Sequence, residues 1–184
     1  MRLFVAIDLP EEIRQKIGEI QQMLKEGRPD VVWVKPENMH ITLKFIGETS
    51  EDKLSDIKTR IKEVVKNFRP FDITLSGIGY FGSPKYVRAI WIGGDSGEVK
   101  QLMEGLENAL RDYRNEDREP TIHLTLGRMR SARGREELLQ KIKEMQNIEI
   151  GKVHVDVVKL KESRLTPKGP IYTDIEIFEL KKCE

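Results

Sequence analysis

Cysteine, histidine and net charge are what this 184-residue chain has little of. The lone Cys183 stands beside the last residue, so no internal disulfide can form, which fits a reducing compartment. The 32 basic and 31 acidic side chains leave a formal charge of +1. No global basic field exists to hold long duplex nucleic acid, so any such contact must be local. The N-terminal apolar run, Leu3 to Ile7, is followed at once by Asp8, Glu11 and Glu12. It is too short for a membrane span or an export signal, so a cytoplasmic protein is expected. The chain has no cysteine pair and no His-x-x-x-His, and it has no carboxylate beside its histidine motifs. The usual metal-site spacings are therefore missing, and neither metal nor cofactor is expected. No glycine-, serine- or proline-rich linker divides the chain, which reads as a single two-lobed domain over 1–184, and a monomer is expected.

Two kinds of periodicity are present. Leu3 to Ile7, Val31 to Val34, His40 to Ile46, Phe71 to Ile78, Val87 to Ile92, Thr121 to Leu126, Val153 to Leu160 and Ile171 to Leu180 read as strands. Helical spacing follows Pro10, Ser50, Gly97 and Gly134, and predicts helices ending near Glu26, Val65, Tyr113 and Met145. The order strand, helix, histidine strand, helix, strand occurs twice, so an internal repeat is expected, roughly 1–80 and 85–184.

The informative feature is a tetrapeptide that occurs twice, His40-Ile41-Thr42-Leu43 and His123-Leu124-Thr125-Leu126. Residues i and i+2 of a strand share a face about 7 Å apart, so each histidine and threonine can address one small anion. Two such strands supply two imidazoles and two hydroxyls to one phosphate. A free imidazole titrates near pH ~6.5, so one can serve as base toward water and the other as acid toward a leaving oxygen. The hydroxyls can hold the non-bridging oxygens. Lys44 shares the His40 and Thr42 face by alternation and is a further phosphate candidate. The basic run Arg128, Arg130, Arg133 and Arg135 could track an RNA backbone. Tyr172, Phe4 and Tyr80 are candidates for stacking a base. His154 alternates with Val153, Val155 and Val157 and reads as strand surface.

At these residues the chain resembles the two-histidine phosphoesterases, and among them the RNA 2′,3′-cyclic phosphodiesterases, once named 2′-5′ RNA ligases. The opening Arg2-Leu3-Phe4-Val5-Ala6-Ile7 with Leu9-Pro10, the stretches Asn38 to Gly47 and His123 to Arg128, and Ser163 through Tyr172 are similar to the family's motifs. The resemblance implies an α+β fold of two lobes, with antiparallel sheets lining a central cleft and helices outside. It implies metal-independent opening of RNA 2′,3′-cyclic ends to 2′-phosphates, with weak reversal as ligation. His40 would be the acid toward the 3′ oxygen and His123 would activate water, although pseudo-symmetry leaves a swap open. Thr42, Thr125 and Arg128 would hold the phosphate. Strict alternation puts Arg128 on the wrong face, and a bulge at Gly127 would correct it. Small cyclic nucleotides as substrates, or an RNA-end-binding module without turnover, remain the alternatives.

Overall fold

The N-terminal apolar run becomes β1 (Arg2–Asp8), in which every residue from Leu3 to Ile7 is buried. A computed structural model of the chain describes residues 1–114 and 119–182, so Cys183 lies outside the described residues. After β1 come α1 (Glu11–Lys25), β2 (Val31–Trp33), β3 (His40–Glu48), α2 (Leu54–Val65), β4 (Phe71–Ser83) and β5 (Tyr86–Asp95). The chain continues through α3 (Gly97–Ala109), β6 (Ile122–Met129), α4 (Arg135–Glu144), β7 (Glu149–Val155), β8 (Val157–Thr166) and β9 (Gly169–Glu179).

The strands form two antiparallel sheets, one in the order β3-β1-β8-β9 and the other β2-β6-β5-β4-β7. This is the α+β class expected. In each sheet the histidine strand lies beside an opening strand, and the next neighbour comes from the other half of the sequence. So β8 pairs with β1, and β4 pairs with β5. The helices cross over too: α2 and α3 pack against the first sheet and α1 and α4 against the second. Each helix buries one aliphatic stripe, such as Ile13, Ile17, Ile20 and Leu24 of α1 or Val99, Leu102 and Leu106 of α3. Burying one such side chain stabilises the fold by about 1.5–3 kcal/mol.

Two boundaries depart from the sequence reading. The segment Val153 to Leu160 reads as one strand, yet it divides at Asp156. β7 pairs with β4 in one sheet and β8 with β1 in the other. The run stays rich in valine across the crossing, and the buried phase changes at the doublet Val157-Val158. The third helix stops at Ala109, not Tyr113, and turns back through Leu110 and Tyr113.

Candidate active site

β3 and β6 carry the two motifs and contact each other. Their proximity is fixed by a buried glutamine on α1. Gln21 Nε2 donates to the carbonyls of Val34, 2.8 Å away, and Leu126, 3.0 Å away, while the Val34 amide also donates to Leu126. One side chain thus ties the segment entering β3 to the middle of β6.

Each histidine sits between two aromatic rings from its own sheet. His40, half-buried at the start of β3, has its ring centroid 4.9 Å from Phe4 and 4.9 Å from Tyr172, the latter edge-on. His123, exposed on β6, lies 4.6 Å from Trp91 and 4.9 Å from Phe81. Gly79, opposite Trp91, makes room for that indole, because a Cβ there would stand 2.4 Å from its ring. His123 Nδ1 is 3.3 Å from Thr121 Oγ1, which leaves Nε2 for chemistry.

The electrostatics of the two imidazoles differ. Burial, reinforced by the Lys161 charge, lowers the His40 pKa to about 4. The Asp8 carboxylate and the Asn38 carbonyl pull the other way, and Arg14 adds to the depression. His123 is lowered by burial alone. Beside His40, two lysines and two aspartates close a ring of ion pairs. Lys159 lies 2.7 Å from Asp8 and 2.6 Å from Asp174, and Lys161 lies 2.9 Å and 2.6 Å from the same carboxylates. Burial pushes both carboxyls upward, but the lysines outweigh it and hold them below the usual carboxylate range.

Both motif strands carry a bulge at the leucine after the threonine. On β3, Thr42 pairs with Ala6 and Lys44 with Val5, so Leu43 is the extra residue. On β6, Thr125 pairs with Trp91 and Gly127 with Ile90, so Leu126 is extra. A bulge shifts the phase by one, so the third residue after each threonine joins the histidine face. That residue is Arg128 on β6, paired with Ala89 on the face of Trp91 and Thr125. The phase shift expected at Gly127 therefore occurs one residue earlier. The glycine serves the sheet in another way, because a Cβ there would meet Val31 at 2.6 Å and bar the approach of β2.

The family described as LigT like Phosphoesterase matches residues 7–91 and 94–172. The chain belongs to that family. The RNA 2′,3′-cyclic phosphodiesterase of Methanothermobacter thermautotrophicus is 40% identical over 98% of this chain and 99% of its own length. The protein of the same name from Archaeoglobus fulgidus is 40% identical over 97% of this chain and 100% of its own. Among solved structures, TT0787 of Thermus thermophilus superposes with a TM-score of 0.81 at 29% identity, covering 98% of both chains. E. coli LigT complexed with 3′-AMP superposes at 0.76 with 25% identity, again over 98% of both.

Within this LigT-like frame several sequence assignments change. Lys44 is not on the His40 face, because the bulge at Leu43 turns it toward α3. Its buried ammonium pairs with Glu107 at 2.7 Å and donates to the Arg114 carbonyl. Arg130 is committed to Asp30, at 3.1–3.2 Å, where Arg133 and Ser131 converge as well. Arg135 donates to the Lys85 carbonyl. The basic run therefore ties its loop to the segment before β2 and to the β4–β5 turn, and of its four arginines only Arg128 makes no ion pair or hydrogen bond among the described residues. Tyr80 packs against the core, opposite Ile90, and the ring on the histidine face is its neighbour Phe81. Tyr172 and Phe4 do meet His40. His154 lies on the surface, as expected, 2.8 Å from Asp72. Sequence reasoning missed Trp91, Phe81, Thr121 and Gln21. Thr121 alone carried a signal, since it continues the alternation of His123 and Thr125. Among the described residues, no three His, Cys, Asp or Glu side chains converge as metal ligands, and no helix is long and apolar enough to cross a membrane.

Proposed function

We propose that this chain is a metal-independent phosphodiesterase that opens 2′,3′-cyclic phosphate ends of RNA to 2′-phosphate ends, with weak 2′-5′ ligation as the reverse. The observation that carries the reading is the pair of His-x-Thr strands, each histidine set between two rings and held close to the other strand by Gln21. The names of the full-length relatives support the substrate class.

In this reading the phosphate is flanked by His40 and His123. His123 takes a proton from water as the oxygen attacks phosphorus. The bond from phosphorus to the 3′ oxygen breaks, and His40 gives that oxygen its proton. Thr42, Thr125 and Arg128 hold the non-bridging oxygens, where charge accumulates. An acid at His40 must be charged, while its site in the free protein favours the neutral ring. The anionic substrate supplies what is missing. One negative charge about 4 Å away is worth roughly 4 kcal/mol at an effective dielectric near 20, or about 3 pKa units, which makes the charged His40 ring accessible near neutral pH. The protein is proposed to work as a cytoplasmic monomer, a single two-lobed domain over 1–184 whose repeat spans roughly 1–80 and 85–184.

The test is product mapping on an oligoribonucleotide with a 2′,3′-cyclic end, in the presence of EDTA. A 2′-phosphate product formed at an unchanged rate is expected. A 3′-phosphate product, or activity lost to EDTA and restored by a divalent metal, would overturn the mechanism.

A further inference from the structure

A cavity of about 220 Å³ opens beside His40, lined among others by Arg2, Phe4, Phe45, Arg114 and Tyr172. Three aromatic walls suit a base, because stacking on a ring tolerates any base identity. Among the described residues, two guanidinium groups and no carboxylate line the cavity. Arg2 stands near the Tyr172 hydroxyl, whose pKa burial raises and Arg2 lowers. The Arg114 guanidinium lies 5.7 Å over the Phe45 ring.

The scissile phosphate already has two histidines, two threonines and Arg128. Two more cations around a base-sized cavity exceed what one cyclic phosphate requires, and they fit a second one. We propose that Arg2 and Arg114 bind the phosphodiester preceding the terminal nucleotide, so that the enzyme favours an RNA end over a free cyclic mononucleotide. The inference rests on the phosphodiesterase reading above and deepens it.

Lys44 has a place in this arrangement. Buried on the far side of β3, it joins Glu107 of α3 to the Arg114 carbonyl and so fixes the backbone that carries the guanidinium. Gly47 of β3 lies beneath, its Cβ position 4.0 Å from Arg114 Cβ. Lys44 is a positioning residue, acting on the substrate through Arg114.

The experiment compares kcat/KM for three substrates: adenosine 2′,3′-cyclic phosphate, the ApA dinucleotide with a cyclic end, and that dinucleotide with a neutral methylphosphonate linkage. A charged contact of this kind predicts about a tenfold preference for the native dinucleotide over the mononucleotide, largely lost with the neutral linkage. Arg2→Gln and Arg114→Gln should each lower the dinucleotide-to-mononucleotide ratio by about threefold or more. Lys44→Met should lower it as Arg114→Gln does, and the double variant should show no further loss. A wild-type ratio near one, or a ratio unaffected by the neutral linkage, overturns the inference without any variant having to fold. Absence of turnover on all three substrates would instead overturn the phosphodiesterase reading itself.

Discussion

The two motif strands show what a duplicated frame keeps and what it lets diverge. Both place a histidine between two rings, follow it with a threonine on the same face, and bulge at the next leucine. Both then bring the third residue after the threonine onto the histidine face. On β6 that residue is Arg128, and on β3 it is Phe45, whose ring lies 6.2 Å from Phe4. One motif thus acquires a guanidinium from its own strand, while the other acquires an aromatic wall, with Arg2 and Arg114 lining the cavity beside it. The electrostatics follow. Burial, reinforced by the Lys161 charge, holds the His40 pKa near 4, whereas His123 is more open and is lowered by burial alone. The backbone device is shared, and the division of labour lies in the side chains.

The harshest way to break the comparison is to delete either imidazole. His40→Ala and His123→Ala should each lower kcat/KM on a cyclic RNA end by about 10²–10⁴, because each removes a group to which the proposal assigns a proton transfer. His154→Ala, far from both motifs, should leave the rate within about twofold. Equal damage from His154→Ala would refute the sorting of the three histidines.

A titration sharpens the contrast. In the free protein, His40 should protonate near pH 4, so it is neutral throughout the physiological range. Bound 3′-AMP should raise its pKa by up to about 3 units, since the phosphate charge offsets Lys161 and Arg14. Nitrogen-15 shifts of the ring with and without nucleotide read this directly. A His40 ring still neutral in the complex at pH 6 would exchange the acid and base roles. Linkage gives the free protein a matching signature. A histidine whose folded pKa is depressed contributes stability that is present above its unfolded pKa near 6.5 and lost as pH falls toward 4.

Arg128 tests the bulge on β6. Arg128→Gln should cut kcat/KM by about 10–100-fold, the loss expected for one charged hydrogen bond to a developing anion. Arg128 is exposed and makes no ion pair or hydrogen bond among the described residues, so the melting temperature should hold. A loss below threefold would mean that the bulge does not bring this residue to the phosphate.

Much of this was legible in the sequence. Period-two and period-3.6 patterns delimit most strands and helices, and a repeated tetrapeptide marks β3 and β6. What escaped is a matter of phase and partnership. The leucines at 43 and 126 are buried residues in apolar strands, so nothing in their chemistry announces a bulge. Strict alternation consequently places Lys44 on the wrong face and Arg128 on the wrong face in the opposite sense. Arg130 looks like a free cation until the loop brings Asp30 to it from a hundred residues away. Gln21 reads as a polar residue on a helix, yet it is buried and bonds two carbonyls that only the tertiary fold brings together. Such pairings depend on contacts distant in sequence, which local periodicity does not encode.

The smallest expected effect concerns how each imidazole is aimed. His40 has the Asn38 backbone carbonyl beside its ring, a partner that no side-chain substitution removes. His123 instead has the Thr121 hydroxyl at 3.3 Å from Nδ1. If that contact sets the ring orientation, Thr121→Val keeps the β-branched shape and deletes only the hydroxyl. One neutral hydrogen bond is worth about 0.5–1.5 kcal/mol, so kcat should fall roughly two- to tenfold. KM for the cyclic substrate should hardly move, because the threonine is two residues from the histidine and is assigned no contact with the phosphate. Thr121→Ser, which retains a hydroxyl, should recover most of the rate. A fall in KM or stability without a fall in kcat, or no rescue by serine, would mean that His123 is aimed by its two rings alone and that Thr121 is only strand surface.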